Sequence, residues 1–228
     1  MTRTFAEPPP TLEKSGLPSG LLIVFEGIDG SGKSTKVKRL ARALDQRGVS
    51  ACVTKEPGGT SLGLHLRSIL LNPEVEIARE AELFLFLADR VQHVKEVLVP
   101  AVKEKKIVLS DRLHDATMAY QGFGAGLSRE FLAVLNRFSM EGLCPDFTIL
   151  LDLPISAVEE RIRVRAEGRT RFESLGREYF ERVRAGYLEI ARVHRDRMLV
   201  LDASLPPDTL EAEILKTLEG RFPEHFKG

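Results

Sequence analysis

The sequence feature that most constrains the fold is a glycine-rich stretch, FEGIDGSGKST, which directly follows the apolar run LLIV. From Gly27 to Ser34 it fits the pattern G-x-x-x-x-G-K-[ST]. In a P-loop with this pattern, a strand leads into a helix and backbone N–H groups surround a polyphosphate at the positive helix N-terminus. The predicted phosphate-binding residues are Gly27, Ile28, Asp29, Gly30, Ser31, Gly32, Lys33, Ser34 and Thr35.

Three side chains near this loop have predicted roles in holding the bound nucleotide. Lys33 is expected to neutralise the β- and γ-phosphates, and the hydroxyl of Ser34 to bind the accompanying Mg²⁺. Asp111, which follows a predicted strand, is the second predicted Mg²⁺ ligand. A glycine-rich turn without function is the alternative, but the strand, the spacing and the helix all fit the motif.

The rest of the chain predicts an α/β fold. Short apolar runs, rich in β-branched residues, alternate with segments of helical period. The predicted strands are residues 21–25, 50–54, 107–109, 147–151 and 198–201. Strands that are apolar on both faces and separated by helices predict a five-stranded parallel sheet with helices on both faces.

Composition limits the partners and the compartment. Lys plus Arg equals Asp plus Glu at 33 each, so no general attraction to nucleic acid or to an anionic membrane is expected. No segment reaches the length of a membrane span. Cys52 and Cys144 are far apart, which favours a reducing cytoplasm over a disulfide framework. The proline-containing residues 1–20 predict a flexible leader, and residues 21–228 predict a single domain.

A P-loop alone does not define a reaction. The Asn-Lys-x-Asp segment of guanine-reading switch proteins is absent, and so is a long second ATPase domain. Arginines lie instead where predicted helices and strands end, which favours a kinase, because a kinase needs a second anion site for its acceptor phosphate. Two alternatives stay open: a nucleotide-sensing module without chemistry, and a P-loop kinase for another nucleoside monophosphate or a small metabolite.

The segment 78–98 predicts a helix with one unusual aromatic residue. Its apolar stripe, expected to face the core, consists of Leu83, Phe84, Leu87, Val91, Val94 and Leu98. Phe86 is off this stripe, four residues from Glu82 and four from Arg90. An aromatic ring beside a guanidinium could read a base by stacking and hydrogen bonding, and packing at the edge of the core is the alternative.

Residues 108–124 predict a second set of ligand contacts. Asp111 and Arg112 follow the strand 107–109, at the carboxyl edge where open α/β sheets bind ligands. Arg112 could hold a phosphate through two hydrogen bonds, and a structural Asp–Arg ion pair is the alternative. Tyr120 and Gln121 offer a ring and an amide that could read a sugar or a base.

Six segments, taken in order, resemble the bacterial thymidylate (dTMP) kinases. They are FEGIDGSGKST, TKEPGGTSLGLHLRSILL, AELFLFLADRVQH, SDRLHDATMAYQG, CPDFTILLDLP and ERIRVRAEGRTRFE, and the resemblance covers about residues 21–203. It implies the P-loop kinase fold with a small lid at about residues 161–175. It further implies Mg²⁺-dependent transfer of the γ-phosphoryl group of ATP to dTMP, and a homodimer.

The resemblance also implies an acceptor site. Its residues would be Asp29, Glu56, Pro57, Arg67, Phe86, Arg90, Arg112, Thr117, Tyr120 and Gln121. By this resemblance Arg67 and Arg112 hold the dTMP phosphate, Phe86 stacks on thymine and Arg90 binds a thymine carbonyl. Tyr120 is similar to the ring that disfavours a ribose 2′-hydroxyl.

The sequence departs from the family pattern at three positions near the acceptor. Lys55 stands where Arg is usual, Leu113 where an aromatic residue or His is usual, and Ala116 where Ser is usual. Ala116 has no hydroxyl with which to read the base. These departures bear on acceptor affinity and on discrimination against dUMP, and leave the implied reaction unchanged.

Arginines crowd into the predicted lid, whereas the P-loop carries Gly30 where some family members carry an arginine. The chain therefore resembles the subgroup in which a lid arginine supplies the missing charge, with Arg165 as the first candidate. A solvated charged face is the alternative. The predicted catalytic residues are Lys33, Arg112, Arg165, Arg169 and Arg171.

Overall fold

The computed structural model describes residues 20–164, 171–172 and 175–226. The predicted leader, apart from Gly20, lies outside the described residues, as does part of the predicted lid. Within the described ranges, no helix is both long and apolar enough to span a bilayer.

Five parallel strands form a single sheet in the spatial order β2-β3-β1-β4-β5. The strands are β1 (Leu21–Glu26), β2 (Ala51–Lys55), β3 (Ile107–Asp111), β4 (Phe147–Asp152) and β5 (Met198–Asp202). All five predicted strands are confirmed, with starts within one residue and ends one or two residues later than expected. The central strand β1 is buried along its whole length, as a strand covered on both faces must be.

The helices of the first half connect β1 to β2 and β2 to β3. They are α1 (Lys33–Asp45), α2 (Ser61–Leu71), α3 (Arg79–His93) and α4 (Val99–Lys103), and a π-helical segment, Val94–Leu98, joins α3 to α4. The helix expected directly after the P-loop is confirmed as α1, which buries Val37, Leu40 and Leu44 and begins at the P-loop lysine.

The helices of the second half connect β3 to β4 and β4 to β5, and two follow β5. They are α5 (His114–Thr117), a π-helical segment Met118–Gly124, α6 (Arg129–Met140), α7 (Ile155–Val164), α8 (Arg177–Val193), α9 (Pro207–Arg221) and α10 (Pro223–Phe226).

Alternating side chains of β1 enter two different apolar cores. Leu21, Ile23 and Phe25 belong to the larger cluster, whereas Leu22 and Val24 belong to a second cluster. This period of two is that of a strand buried on both faces, and it confirms helices on both sides of the sheet.

One prediction about α3 is wrong. Phe84 was expected in the core stripe but is 56% exposed, although Leu83, Leu87, Val94 and Leu98 are buried. The helix also buries the polar residues Glu82, Asp89, Arg90 and His93, so its buried face is centred away from Phe84. A stripe defined by apolar residues alone could not show that the buried face of α3 is shifted away from Phe84, because polar residues make up part of that face.

The packing of α8 on the π-helical segment generates a stability prediction. A Cβ on Gly186 would lie 2.5 Å from Cγ of Phe123. A Cβ on Gly220, near the end of α9, would meet nothing within 4 Å among the described residues apart from the backbone of its own helix. Gly186→Ala should therefore lower the free energy of unfolding by about 1–3 kcal/mol. Gly220→Ala, the matched control, should leave it equal or up to about 1 kcal/mol higher. Urea unfolding of both variants is the measurement, and equal stabilities would contradict the packing.

Candidate active site

A cleft of about 940 Å³ opens at the carboxyl edge of the sheet. The strand register explains its position, because Phe25 and Lys55 both lie beside Asp111, so β1, β2 and β3 end together. All ten residues of the implied acceptor site, including Asp29 of the P-loop, line the cleft, together with five further residues of the predicted phosphate loop: Gly30, Gly32, Lys33, Ser34 and Thr35.

The turn of the P-loop depends on glycine. Gly27, Gly30 and Gly32 have φ values of 138°, 80° and 92°, in the region that disfavours other residues. A Cβ on Gly27 would also lie 2.5 Å from the carbonyl oxygen of Leu151. The backbone can therefore curl close to β4 only with glycine at this position.

Lys33 is buried and spans the loop, where its Nζ donates to the carbonyl oxygen of Ile28 at 2.9 Å. Burial, and then the nearby Arg112 charge, lower the pKa of Lys33 to about 8. Among the described residues no carboxylate is hydrogen-bonded to this ammonium, and an anion in the loop would restore the preference for the charged form.

Ser34 and Asp111 meet at the mouth of the P-loop, where the Ser34 hydroxyl donates to Oδ2 of Asp111. A hydroxyl and a carboxylate oxygen fit Mg²⁺, which takes one or two protein oxygens and completes its shell with water and phosphate. Across the described residues, no group of three His, Cys, Asp or Glu side chains could hold a metal by itself. The pair therefore suits a metal ion that arrives with a nucleotide.

Arg112 connects the P-loop to the acceptor side of the cleft. Its Nη1 donates to the Gly27 carbonyl at 2.9 Å and to the Tyr187 hydroxyl at 3.0 Å, and its Nη2 donates to Oδ1 of Asp29 at 2.6 Å and to the Tyr120 hydroxyl at 3.0 Å. The backbone of Arg112 has a φ of 77°, in the left-handed region that residues other than glycine seldom adopt.

The carboxylates around Arg112 have different pKa shifts. Burial of Asp29 opposes its ionisation, but the charges of Arg112 and Lys33 outweigh burial and lower its pKa. Burial raises the pKa of Glu26 to about 7, and this carboxyl accepts from the Tyr187 hydroxyl at 2.7 Å. The sequence interpretation missed Glu26 and Tyr187. An acidic residue in an apolar strand was a signal for Glu26, whereas nothing local pointed to Tyr187.

Arg90 is fixed in the wall of the cleft by several acceptors. It is 2% exposed, and its Nε donates to Glu56 at 2.8 Å while Nη1 donates to Thr117 and to Asn136, both at 2.9 Å. Nη2 donates to the carbonyl of Leu113 at 3.1 Å. Asn136 comes from α6 and was missed, because no local pattern links it to α3.

Phe86 lines the cleft and also packs against the main core, so both interpretations of this ring describe part of its environment. Its ring centroid lies 5.9 Å from that of Phe172, which is 6.0 Å from that of Tyr120. Phe172, in the predicted lid, was not among the predicted site residues, yet it completes the aromatic wall.

Glu82 joins the predicted base site to the predicted lid. It accepts from Nε2 of Gln121 at 2.7 Å and pairs with Nη2 of Arg171. Arg171 also donates to the carbonyl of Leu70 at 3.2 Å, which places it on the α2 and α3 side of the cleft. Its catalytic role stays a prediction.

Another arginine of the lid region lies at the P-loop. Arg161 donates from Nη1 to the carbonyl of Gly30 at 3.0 Å and from Nη2 to that of Ala203 at 2.9 Å, and it lines the cleft. Arg165 and Arg169, the other two predicted lid residues, lie outside the described residues.

The three departures from the family pattern lie at the cleft. Lys55 and Ala116 line it. The Leu113 side chain is buried in the second core cluster, and its backbone N–H donates to Oε1 of Glu26 at 2.8 Å. Leu113 thus contributes both packing and a backbone contact at the end of β3.

A P-loop at the end of a central parallel strand, with an arginine-rich second site in the same cleft, defines the class of P-loop nucleotide kinases. A family model for thymidylate kinase matches residues 25–214. The chain belongs to the thymidylate kinase family.

Relatives and a solved structure agree with this assignment. The chain is 43% identical over 217 residues to a thymidylate kinase of Desulfovibrio desulfuricans, covering 91% of this chain and 99% of that protein. It is 47% identical over 204 residues to one of Nitratidesulfovibrio vulgaris, covering 86% and 90%. The crystal structure of thymidylate kinase from Ehrlichia chaffeensis matches with a TM-score of 0.73 and 32% identity, covering 89% of this chain and 99% of that chain.

The lowered pKa of Lys33 predicts that ATP affinity falls at alkaline pH. Bound phosphate favours the charged lysine, so the pKa of Lys33 should be higher in the complex than the value of about 8 in the free protein. As the pH rises above the pKa of the free protein, the association constant for ATP should fall by up to about tenfold per pH unit.

Isothermal titration calorimetry with ATP from about pH 7 to 9.5 measures this dependence. Lys33→Arg is the control, because its side chain stays charged and should flatten the decline whatever its absolute affinity. A wild-type ATP affinity that is constant over this range would contradict the assignment.

Proposed function

We propose that the protein transfers the γ-phosphoryl group of ATP to dTMP, giving ADP and dTDP, with Mg²⁺. The observation that carries this proposal is that one cleft contains both the P-loop and the acceptor side chains, joined by the contact between Arg112 and Asp29. The membership of the chain in the thymidylate kinase family supports the identity of the acceptor.

On the donor side, the P-loop N–H groups and Lys33 hold the β- and γ-phosphates. Ser34 and Asp111 would hold Mg²⁺, which neutralises phosphate charge when it is bound. Because these groups are fixed before the nucleotide arrives, they need little reorganisation as charge develops.

On the acceptor side, Arg67 and Arg112 hold the phosphate of dTMP while Phe86 and Arg90 hold thymine. An oxygen of that phosphate then attacks the γ-phosphorus, and the bond from phosphorus to the β–γ bridging oxygen breaks, so ADP leaves with its electron pair. The contact of Asp29 with Arg112 at 2.6 Å aims the guanidinium across the gap between the two phosphates.

The additional positive charge needed during transfer comes, in this proposal, from Arg165, Arg169 or Arg171. The contact of Arg161 with Gly30 supports it, because it holds the lid-side helix α7 against the P-loop. For Arg171 to act, its pair with Glu82 must open, so this residue would act only after a rearrangement.

An ADP-release assay across dTMP, dUMP, UMP, CMP, AMP and GMP tests the proposed function. We expect kcat/KM to be higher for dTMP and dUMP than for the ribonucleotides, because Phe86 and Tyr120 line a pocket suited to a pyrimidine without a 2′-hydroxyl. Between these two, we expect dTMP to have the higher value, because the chain belongs to the thymidylate kinase family. A higher kcat/KM with another monophosphate would assign a different acceptor. If no monophosphate in the panel leads to ADP release, the protein is instead a nucleotide sensor or a kinase of another metabolite.

We further propose a homodimer that acts in the cytoplasm. Large apolar side chains are exposed on two helices that pack together: Phe84 of α3 is 56% exposed, and Phe131, Val134 and Phe138 of α6 are 52%, 63% and 75% exposed. The three α6 residues share one face by their spacing. An aromatic surface of this kind is typical of a protein interface and fits a second copy of the chain.

Replacing the most exposed of these side chains should separate the subunits. Phe138→Glu puts a charge into the proposed interface and should give a monomer in light scattering coupled to size-exclusion chromatography, whereas the wild type elutes as a dimer. Val200→Glu, at an exposed apolar residue on the edge strand β5, is the control and should stay dimeric. A monomeric wild type, or a dimeric Phe138→Glu, would contradict this interface.

A further inference from the structure

The acceptor loop, which we define as residues 56–60, is held from behind by helix α3. Asp89, Arg90 and His93 lie within two turns of this helix, and Asp89 and His93 are completely buried. Arg90 lines the cleft, whereas Asp89 and His93 stand behind it. Asp89 contacts the backbone of the acceptor loop, and His93 contacts Glu56 of that loop and Thr54 of β2.

One peptide group of the acceptor loop is held at both of its ends. The carbonyl oxygen of the Pro57–Gly58 peptide accepts from Nη1 of Arg67 at 2.9 Å. The N–H of the same peptide donates to Oδ1 of Asp89 at 3.0 Å. A hydrogen bond to a carboxylate is charge-assisted, so Asp89 sets the rotation of this peptide and thereby the direction of its carbonyl.

The surroundings of Asp89 leave it little freedom to move. A Cβ on Gly63 would lie 2.3 Å from Oδ1, so α2 can approach the carboxylate this closely only with glycine there. Within the described residues Oδ2 is buried without a hydrogen-bond partner. A buried oxygen left in this state is costly, which indicates that the carboxylate is kept for its contact with Gly58.

The neighbouring charges are fixed as well. Both oxygens of Glu56 are held, one by Nε of Arg90 at 2.8 Å and the other by Nδ1 of His93 at 2.9 Å. Nε2 of His93 meets the hydroxyl of Thr54 at 2.6 Å. Burial, followed by the charge of Glu56, raises the pKa of Asp89 to about 6, so the carboxylate is mostly ionised at neutral pH.

We propose that Asp89 is a positioning residue for the acceptor phosphate, acting through the Pro57–Gly58 peptide on Arg67. This inference rests on the proposed function, in which Arg67 binds that phosphate. Arg67 lines the cleft, and its long side chain would otherwise sample many rotamers. A fixed carbonyl aims one edge of the guanidinium and leaves the others for an anion, which lowers the entropic cost of binding.

A merely structural role for Asp89 predicts a different outcome. If Asp89 only supported packing, its loss would weaken every ligand of the pocket. If it acts through Arg67, its loss should weaken ligands that carry the phosphate and spare those that lack it. Thymidine, which is dTMP without the phosphate, separates the two cases.

The test is calorimetric titration of dTMP and of thymidine into the full chain. Asp89→Leu, which is similar in size but accepts no hydrogen bond, should weaken dTMP binding by about tenfold and change thymidine binding by less than about twofold. Asp89→Asn keeps an acceptor oxygen for the Gly58 N–H and should bind dTMP within about threefold of wild type. If Asp89→Leu does not fold, Asp89→Ser replaces it, because its hydroxyl is one bond too short to reach Gly58.

A double variant tests the route through Arg67. Arg67→Ala should weaken dTMP binding, and adding Asp89→Leu to it should cause little further loss, since the two residues act in one chain of contacts. Equal losses for dTMP and thymidine, or losses that add in the double variant, would overturn the proposal. If wild-type protein prefers another monophosphate, the proposed function fails, and the Asp89 comparison is made with that monophosphate and its nucleoside.

Discussion

The hydrogen bonds of the partly buried guanidinium of Arg112 are the interactions on which the rest of the site depends. A guanidinium that is largely shielded from water must find acceptors, and Arg112 contacts Asp29 and Gly27 of the P-loop, Tyr120 of the π-helical segment and Tyr187 of α8. These contacts hold the donor loop against the acceptor side of the cleft. In the proposed function, the two phosphate sites therefore have a fixed relation before either nucleotide is bound.

A second buried network gives the acceptor side its shape. Arg90 and His93 occupy both oxygens of Glu56, while Asp89 holds the next peptide of the acceptor loop. The cost of burying the charges of Arg90 and Glu56 is offset because the two side chains are paired with each other, so removing either one would leave an uncompensated charge. This explains why α3 directs a polar face toward the sheet edge and leaves Phe84 outside.

The elements that depend on local sequence patterns could be predicted, whereas contacts between residues far apart in the sequence could not. The five strands, α1 and the P-loop were predictable, since each rests on a short run of apolar residues or on fixed glycine spacing. Asn136 and Tyr187 could not be found, because they reach Arg90 and Arg112 from helices far along the chain. Phe84 was misplaced because a stripe of apolar residues takes no account of buried ion pairs. The ten residues that the family resemblance implied for the acceptor site all line one cleft, and their binding roles stay predictions.

The central claim is that one cleft binds both nucleotides, with Arg112 between their phosphates. The most direct test is a crystal structure with a bisubstrate analogue in which adenosine and thymidine are linked by a polyphosphate. We predict phosphates in the P-loop near Lys33, a thymidine-side phosphate within hydrogen-bonding distance of Arg112, and thymine against the ring of Phe86. A thymidine moiety bound outside the cleft, or an Arg112 that contacts no phosphate while the P-loop is filled, would contradict it.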